Sequence, residues 1–406
     1  MPVLFQINTT VNVGSHGRIA EEIAETAISQ GWDSYIAYGR KMGKMQSSSN
    51  LIRIGGRWGI WWHVALTRLF DLHGLCSVRA TRKLIKKIEA IKPGIIHLHN
   101  IHGYYLNYKI LFGYLASTNI PVVWTLHDCW PFTGHCSYFD YIGCSKWKDE
   151  CTMCPLTRDY PRSLFLDGSG RNYRVKKEKF GSIRNLTLVC VSHWLKSMTE
   201  ESFLKKKNLL AIYNGIDTSC FYPYENTAKV KKKYGLEGKT VLLGVANVWT
   251  EIKGLKSYIA LRERLPEQFV FVLVGLNRQQ IRTLPQGIIG IGKIYNPGNL
   301  AELYSCADIS LNLSVQEALG MTTIEALACG TPGIVYNITG CAELVTEETG
   351  VTVEKENIEA LEDAVYQIIK KGKAAYKEAC RKRAMTCFNK DIQYNQYMDL
   401  YKSLLP

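Results

Sequence analysis

The segment that decides the fold reads Ser314-Val-Gln-Glu-Ala-Leu-Gly-Met-Thr-Thr-Ile-Glu-Ala-Leu-Ala-Cys-Gly-Thr-Pro-Gly333. It follows an apolar run at residues 309–313 that predicts a buried strand, and it continues through a glycine-containing loop into a helical pattern. Backbone amides at the start of that helix, at Gly320, Met321 and Thr322, would favour an anionic phosphate group. The segment therefore predicts a strand, a phosphate-binding turn and a helix, as in α/β domains.

Two glutamates lie on this segment. Glu317 is in the loop, where its carboxylate could face a sugar ring. Glu325 is about one and a half turns into the helix, where it could accept two hydrogen bonds from ribose hydroxyls. The alternative is an ordinary strand, turn and helix with two solvated glutamates, because two glutamates at a fixed spacing are weak evidence by themselves.

The rest of the chain has the length and composition of a two-domain globular protein. Its 406 residues suit two domains of about 150 to 200 residues each. Apolar residues make up 46% and charged residues 21%, which excludes a disordered or fibrous chain. The start of the sequence shows no basic leader, and no apolar stretch approaches the roughly 18 to 20 residues that span a bilayer, so we expect a cytoplasmic protein.

Short apolar runs alternate with helical patterns in both halves, which predicts two doubly wound parallel sheets wrapped by helices. The predicted strands are residues 3–7, 34–38, 95–98, 122–126 and 186–191 in the first half, and 209–213, 241–245, 269–274, 288–291, 309–313 and 333–336 in the second. We place the domains at residues 1–205 and 206–385, with a C-terminal helix at 386–406 that packs back on the first domain. Ligands of such sheets bind at the carboxyl ends of strands, so two facing domains predict a central cleft.

Three segments of the second half resemble segments of one enzyme family. The pattern Glu317, seven residues, Glu325 and the following Ala-Leu-Ala-Cys-Gly-Thr-Pro is similar to the E-x7-E signature of family-4 retaining glycosyltransferases. Residues 214–223 resemble the start of their donor domain, and residues 241–254 resemble the strand and Lys-Gly loop whose lysine, here Lys253, meets the donor diphosphate. A compact ammonium suits that role. The resemblance implies the GT-B fold, with two Rossmann-like domains: an N-terminal one for the acceptor and a C-terminal one for the nucleotide sugar.

One position departs from the family pattern. Family members usually carry an arginine shortly before the lysine, at about Asn247, and here an asparagine stands there. The resemblance to the colanic-acid, capsule and O-antigen branch implies a variant donor site, in which Lys253 and the helix amides after Gly320 meet the leaving-group charge. The alternative for Lys253 is a solvated surface lysine. The chain contains no Asp-x-Asp, so a metal-bridged diphosphate is disfavoured and we expect transfer to require no cofactor.

The turn after the first predicted strand contains Gly14 and Gly17 and leads into a helix. Glycines let the backbone approach a ligand closely where helix amides favour anions. The resemblance implies that this loop faces the diphosphate and the acceptor. The alternative is an ordinary loop between a strand and a helix.

Histidines follow two later strands. His127 ends the fourth predicted strand, and its Thr-Leu-His-Asp context is similar to the family segment whose histidine contacts the donor sugar. The resemblance implies that His99, Asn100 and His102 border the acceptor pocket. Histidine can hydrogen-bond a sugar or take a proton near neutral pH. A single histidine is often structural, and that alternative is strongest for His97, which shares a strand with apolar neighbours.

A cysteine-rich insertion is expected near residues 129–155. Four of its cysteines are our predicted ligands of a structural zinc ion, namely Cys136, Cys144, Cys151 and Cys154. Free buried thiols are the main alternative, and an iron-sulfur cluster or a disulfide is another. Zinc would brace the inserted loop and would not perform the transfer.

Basic residues are concentrated in the first half of the chain. Residues 1–207 hold 28 basic and 15 acidic residues, out of a net charge of +14. Between Arg40 and Lys92 there are 12 basic and two acidic residues, with interleaved aromatic residues that include Trp58, Trp61, Trp62 and Phe70. This pattern predicts peripheral contact with an anionic membrane. The alternatives are a core position for the aromatic residues and a nucleic-acid surface.

Together these features predict a retaining glycosyltransferase that moves a sugar from a UDP or GDP sugar to a glycan or a polyprenyl-diphosphate-linked acceptor. The expected setting is the synthesis of a surface polysaccharide at the inner face of the cell membrane. A GT-B nucleotide-sugar epimerase or phosphorylase is the alternative within enzymes. A zinc-containing nucleic-acid-binding protein is the alternative outside them, but it leaves the glutamate and Lys-Gly motifs unexplained, so no nucleic-acid partner is expected.

Overall fold

A computed structural model describes residues 1–41 and 46–405. The chain divides into two compact units. The first contains residues 1–212 together with residues 394 onward, and the second contains residues 213–393. The first unit therefore begins and ends the chain, and the second is inserted between its last strand and its last helix.

The first unit is built on a seven-stranded parallel sheet with the strand order β3-β2-β1-β4-β5-β6-β7. Its strands are β1 (Val3–Asn8), β2 (Asp33–Tyr38), β3 (Asn50–Arg53), β4 (Ile95–Leu98), β5 (Val122–Leu126), β6 (Leu186–Cys190) and β7 (Asn208–Ala211). Its helices up to residue 212 are α1 (Gly14–Ser29), α2 (Arg57–Phe70), α3 (Val78–Ile91), α4 (Tyr108–Ala116), α5 (Ser169–Gly181) and α6 (His193–Glu200). The central strands β4, β5 and β6 are buried throughout, as strands covered by helices on both faces must be.

The second unit is built on a six-stranded parallel sheet with the strand order β10-β9-β8-β11-β12-β13. Its strands are β8 (Thr240–Val245), β9 (Phe269–Val274), β10 (Ile288–Ile291), β11 (Ile309–Asn312), β12 (Gly333–Tyr336) and β13 (Gly350–Val353). Its helices are α7 (Ala228–Tyr234), α8 (Leu255–Arg264), α9 (Arg278–Arg282), α10 (Pro297–Cys306), α11 (Met321–Ala328), α12 (Ile358–Lys371) and α13 (Ala374–Cys387). Both sheets are thus the parallel, helix-covered kind that the sequence predicts.

Three strands differ from the sequence prediction. The segment predicted as the first strand of the second half is β7, which pairs in parallel with β6 and closes the edge of the first sheet. Strands β3 and β13 were not predicted. Each is four residues long and lies at a sheet edge, so only part of it is buried and its apolar pattern is weak.

The last helix, α14 (Lys390–Leu404), returns to the first unit. Its apolar and aromatic side chains join the core that Leu4, Ile19 and Ile95 form beneath the first sheet; they include Tyr394, Tyr397, Met398 and Tyr401. Burying an aromatic side chain of this size is worth about 1.5 to 3 kcal/mol. The helix is therefore an integral part of the first unit.

Every helix in the described parts of the chain, residues 1–41 and 46–405, is too short or too polar to span a lipid bilayer.

Candidate active site

In the second unit, two loops bring Lys253 and Glu317 together. The Lys253 ammonium contacts Glu317 Oε1 in an ion pair, and Ser314 Oγ donates a hydrogen bond of 3.2 Å to the same oxygen. The backbone joins the loops as well, because Val315 N donates to Ile252 O at 2.8 Å. Both charged side chains remain partly exposed. A cation and a carboxylate are thus held side by side where a ligand can reach them.

Two glycines are required by this arrangement. Gly254 adopts a φ of +71°, and a Cβ atom there would lie 2.0 Å from the carbonyl oxygen of Leu313. Gly320 adopts a φ of +103°, and a Cβ atom there would lie 2.5 Å from Cys341 Sγ. A larger residue at position 254 would therefore push the two loops apart, and one at position 320 would displace the start of α11 from Cys341.

Helix α11 begins directly at Gly320, and no side chain caps its first turn. Met321 and Thr322 occupy that turn and are partly exposed. An α-helix start leaves backbone N–H groups without intrahelical partners, and the helix dipole favours negative charge there. The predicted phosphate-binding turn is therefore a real helix start in the structure.

Glu325 lies inside the second unit rather than on its surface. Its side chain is 5% exposed, and Tyr304 Oη donates a hydrogen bond of 3.0 Å to Glu325 Oε2. Burial raises the pKa of Tyr304, so its hydroxyl stays protonated and able to donate. Tyr304 thus orients a carboxylate that the sequence assigned to a ribose.

Asn312 is a supporting residue that the sequence analysis missed. It ends β11, and its Nδ2 donates to Thr323 Oγ1 at 3.1 Å, while its Oδ1 accepts from Ser314 N at 3.3 Å. It therefore ties the loop that carries Glu317 to the first turn of α11. Asn247, where the family usually has arginine, is exposed.

In the first unit, the predicted histidines follow β4 and β5 and lie side by side. The rings of His97 and His99 are 4.0 Å apart, and those of His99 and His127 are 5.5 Å apart. His97 hydrogen-bonds Thr125 Oγ1 at 2.8 Å and Tyr401 Oη at 2.6 Å, so it has the structural role considered above. Burial holds the pKa of these three histidines well below the usual value, so they are neutral.

His99 does not have the position expected of a residue that contacts an acceptor. It is 1% exposed, and both ring nitrogens are hydrogen-bonded, Nε2 to Gln6 Oε1 at 2.8 Å and Nδ1 to His127 Nε2 at 3.2 Å. His127 is partly exposed. His99 is therefore behind His127, and Gln6 is a second supporting residue that the sequence analysis missed.

His102 is paired with an acid that the sequence analysis quoted without assigning a role. Its Nε2 lies 3.0 Å from Asp128 Oδ2, and its Nδ1 lies 3.3 Å from Tyr160 Oη. Burial opposes ionisation of Asp128, but His102 and the amide of Trp130 outweigh it and hold the pKa of Asp128 below its usual value. Asn100, which is partly exposed, accepts hydrogen bonds through its backbone carbonyl from Thr9 Oγ1 and Tyr105 Oη, both at 2.8 Å.

The turn between β1 and α1 needs both of its glycines. Gly14 has a φ of +73°, and a Cβ atom on Gly17 would lie 2.8 Å from Thr10 Oγ1. Between them, His16 Nδ1 hydrogen-bonds Asn8 Oδ1 at 3.0 Å. Burial, with a smaller contribution from His102, lowers the pKa of His16 to about 4. The turn is therefore tightly packed and carries a neutral histidine.

Comparison with known families now identifies the chain. The profile described as "Glycosyltransferase Family 4" matches residues 16–219, and that described as "Glycosyl transferases group 1" matches residues 226–385. The chain belongs to glycosyltransferase family 4. It is similar to the putative colanic acid biosynthesis glycosyl transferase WcaC of Escherichia coli strain K12, at 29% identity over 168 residues. That match covers 39% of this chain and 40% of WcaC, so it spans less than half the length of this curated relative.

Solved structures show the same GT-B fold over the whole chain. Sucrose-phosphate synthase from Thermosynechococcus elongatus superimposes with a TM-score of 0.72 at 19% identity, covering 100% of this chain and 99% of that one. HepE from Anabaena, in complex with UDP-glucose, superimposes with a TM-score of 0.68 at 14% identity, covering 99% of both chains. The protein is thus a family-4 glycosyltransferase with the GT-B fold.

The four predicted zinc ligands of this glycosyltransferase line one small cavity, together with His135 and Trp147. All are free thiols, and a hydrogen bond from Cys136 lowers the pKa of Cys154. However, no group of three or more His, Cys, Asp or Glu side chains within residues 1–41 and 46–405 is arranged to hold a metal ion. The four cysteines nevertheless lie around one cavity, and a structural zinc ion there stays a prediction.

Polar contacts hold the cysteine-rich insertion in place. His135 Nδ1 lies 2.8 Å from Asp71 Oδ1, and both side chains are fully buried. Lys176, on α5, donates from Nζ to Trp130 O at 2.7 Å and to Thr133 O at 3.0 Å. Its Nζ is also 3.5 Å from the centre of the Trp130 ring, and burial lowers its pKa to about 7. A buried lysine and a buried His–Asp pair thus brace the insertion.

Helix α2 buries polar residues and exposes aromatic ones. The buried residues of the helix are His63 and Thr67, and His63 accepts a hydrogen bond of 3.0 Å from Gly74 N. The residues on its outer side are exposed and mostly apolar: Trp58, Trp61, Trp62, Leu69 and Phe70. The alternative that these aromatic residues form core is wrong. A surface helix of a globular protein usually has the opposite distribution.

A cavity of about 670 Å³ lies beside this helix, between α2, α3 and the end of β3. Its floor is mainly apolar, with Ile54, Ile60 and Leu84 among the lining residues, and its basic lining residues are Arg53, Arg79, Lys83 and Lys87. We name α2 together with these four basic residues the aromatic–basic surface. Lys44, which contributes to the basic count of this region, lies outside the described residues.

Proposed function

We propose that this enzyme transfers a sugar, with retention of configuration, from a nucleoside diphosphate sugar to a glycan or a polyprenyl-diphosphate-linked acceptor. The observation that carries the proposal is the contact of Lys253 with Glu317 beside the uncapped start of α11. This arrangement offers one mobile cation and several backbone amides to a diphosphate, and one carboxylate to a sugar. The complex of HepE with UDP-glucose, in a protein of the same fold, supports a nucleotide-sugar donor.

Binding of the donor would rearrange the ion pair. A diphosphate carries more negative charge than Glu317, and the pair is partly exposed, so little stability is lost when Lys253 turns to the phosphates. The amides of Met321 and Thr322 would bind the same group. Glu325, already oriented by Tyr304, would accept hydrogen bonds from the ribose.

In the proposed reaction, the bond between the anomeric carbon and the phosphate oxygen breaks, and the acceptor oxygen attacks on the same face. The acceptor hydroxyl gives its proton to the departing phosphate oxygen. Lys253 and the helix amides stabilise the charge that develops on that oxygen, as preorganised groups do. The Glu317 carboxylate, released from Lys253, stabilises the short-lived oxocarbenium character of the sugar, and no covalent intermediate is needed.

We further propose that the aromatic–basic surface rests on the anionic inner face of the cell membrane. The exposed tryptophans of α2, a helix whose buried side is polar, and the basic lining of the cavity beside it fit the interface of a bilayer. Such contact would bring a lipid-linked acceptor to the first unit. The similarity to WcaC, named for colanic acid biosynthesis, supports a role in making a surface polysaccharide.

The test of donor binding is thermal unfolding with UDP, GDP, ADP and TDP, on the wild type and on Glu325→Ala. A nucleotide at about 100 times its dissociation constant adds roughly 2.7 kcal/mol to the unfolding free energy. We expect UDP or GDP to raise the midpoint of the wild type, and the folded variant to lose that response. Glu343→Ala, elsewhere in the second unit, serves as the control. A wild type that responds to none of the four would refute the proposal.

A further inference from the structure

Hydrogen bonds connect Gln6, His99 and His127 in a continuous series, which we name the Gln6–His127 hydrogen-bond chain. Gln6, in the middle of β1, is fully buried, and its Nε2 donates to the backbone carbonyl of Ala20 on α1 at 2.8 Å. Its Oε1 is 2.8 Å from His99 Nε2, and His99 Nδ1 is 3.2 Å from His127 Nε2. No hydrogen bond reaches His127 Nδ1 from the described residues.

Only one arrangement of protons gives every hydrogen bond in the Gln6–His127 hydrogen-bond chain one donor and one acceptor. The carbonyl oxygen of Ala20 can only accept, so the amide nitrogen of Gln6 must face it and the amide oxygen must face His99. His99 Nε2 must then carry a proton. Because burial keeps His99 neutral, its Nδ1 is bare and accepts from a protonated His127 Nε2.

The opposite tautomer of His127 would break the Gln6–His127 hydrogen-bond chain. A bare His127 Nε2 would need a proton on His99 Nδ1, which leaves His99 Nε2 bare and facing Gln6 Oε1. Turning the Gln6 amide over would instead place Oε1 against the carbonyl oxygen of Ala20. Either change sets two acceptors against each other in a buried place, which is costly.

We propose that Gln6 and His99 are positioning residues that hold His127 as its Nε2–H tautomer, so that His127 Nδ1 offers only a hydrogen-bond acceptor to the transferred sugar. The contact with the sugar rests on the proposed function, whereas the tautomer does not. An acceptor nitrogen takes a hydrogen bond from a sugar hydroxyl, and it repels a carboxylate, which has no proton to give. The enzyme should therefore select a sugar that places a hydroxyl at this nitrogen over a uronic acid that places its carboxylate there.

The tautomer can be measured without any substrate. The full chain, labelled with ¹⁵N-histidine, gives long-range ¹H–¹⁵N spectra in which protonated and bare ring nitrogens are well separated, and His127→Gln assigns the His127 signals. We expect a protonated Nε2 and a bare Nδ1 for His127 in the wild type. A protonated His127 Nδ1 would overturn the proposal.

The role of Gln6 is tested by Gln6→Leu, which has a similar size and no amide. We expect His127 in this variant to become a mixture of both tautomers. The control is Tyr401→Phe. It removes a hydrogen bond from His97, the ring next to His99, and leaves the Gln6–His127 hydrogen-bond chain intact. If Gln6→Leu leaves the His127 spectrum unchanged, Gln6 is not a positioning residue.

Gln6→Glu keeps an acceptor for His99 and provides a second readout if Gln6→Leu does not fold. A carboxylate beside His99 favours its imidazolium, whose new Nδ1 proton would donate to His127 Nε2 and move the His127 proton to Nδ1. Other groups act on this pair: His97 on β4, His102 in the loop after β4, His16 on α1 and Asp128 after β5. Since these are unchanged in the variant, we expect a switch of the His127 tautomer on acidification in Gln6→Glu alone. The absence of that switch would contradict the proposal.

Selectivity is tested with UDP-glucose and UDP-glucuronate as probes of the wild type by calorimetry. We expect UDP-glucose to bind at least tenfold more tightly than UDP-glucuronate, and His127→Ala to lose most of that ratio. Equal affinities in the wild type would overturn the selectivity. If neither probe binds and both UDP and GDP also fail to bind, the proposed function fails, while the spectra still decide the tautomer.

Discussion

The two units contain opposite kinds of polar cluster. In the second unit, Lys253 and Glu317 are charged, paired with each other and partly exposed. In the first unit, His97, His99 and His127 are neutral, closely stacked and shielded by burial. The difference shows what burial does to titratable groups. The charged pair lies where solvent reaches it, and the buried histidines are neutral.

The largest effect should come from removing the exposed charge of the second unit. Lys253→Ala should lower kcat/KM by about 100-fold to 1000-fold, because one preorganised group that stabilises developing charge is worth about 2.7 to 4 kcal/mol. Steady-state transfer assays measure this loss. Lys256→Ala, three residues away and highly exposed, is the matched control and should keep full activity. Equal activity of the two variants would mean that Lys253 does not meet the diphosphate.

A second effect should distinguish the basic surfaces of the two units. Reversing Arg79, Lys83 and Lys87 to glutamate should weaken binding to phosphatidylglycerol vesicles by at least about 100-fold, because each basic residue near an anionic surface is worth about 1 kcal/mol. Vesicle co-sedimentation measures this change.

The matched control for this reversal is the basic helix α7 of the second unit, where Lys229, Lys232 and Lys233 are exposed. Their reversal should leave vesicle binding nearly unchanged, since α7 has no exposed row of tryptophans. Similar losses in both triple variants would show that net charge alone, and not the aromatic–basic surface, drives binding.

A smaller effect on stability should come from Lys176 in the first unit, because burial lowers its pKa. Lys176 has a pKa of about 7 when folded and an ordinary value near 10.5 when unfolded, so the unfolded state binds the proton more tightly. The Lys176 contribution to stability should therefore rise with pH above 7, by up to about 2 kcal/mol between pH 7 and pH 9.

Denaturant unfolding of the wild type and Lys176→Met at both pH values measures this contribution. The unfolding free energy of the wild type should increase relative to that of Lys176→Met as the pH rises. Lys177→Met, which changes the exposed neighbour on α5, should show no such shift. A parallel pH dependence of wild type and Lys176→Met would mean that Lys176 keeps its charge when folded.

The segment that carries Glu317 could be predicted from the sequence because its parts are close together along the chain. Glu317, Gly320 and Glu325 lie on one strand, turn and helix, and the family signature fixes their spacing. The first unit was less accessible. Gln6 looks like an ordinary polar residue in a strand, and its partner His99 is 93 residues away. No local pattern joins them, so His99 was expected at the acceptor and is instead behind His127.

The aromatic–basic surface illustrates the same limit in another way. Its composition predicted a membrane face, but the same residues also fitted a helix with its aromatic side in the core. Whether the aromatic side of α2 is exposed or buried depends on His63 and Thr67, whose contacts hold the polar side of the helix inward. The insertion is also held by Asp71, His135 and Lys176, none of which belongs to the cysteine pattern that predicts zinc.

By itself, the sequence determined that two parallel α/β sheets form, that a glycine-containing turn opens α11, and that Lys253 and Glu317 each lie in a motif of one enzyme family. These features depend on residues within a few turns of each other, where backbone preference and apolar periodicity act directly. Only the tertiary structure decided which buried groups are neutral, which histidine is exposed and which helix face points outward. Those properties arise from desolvation and hydrogen bonding between strands that are distant along the chain.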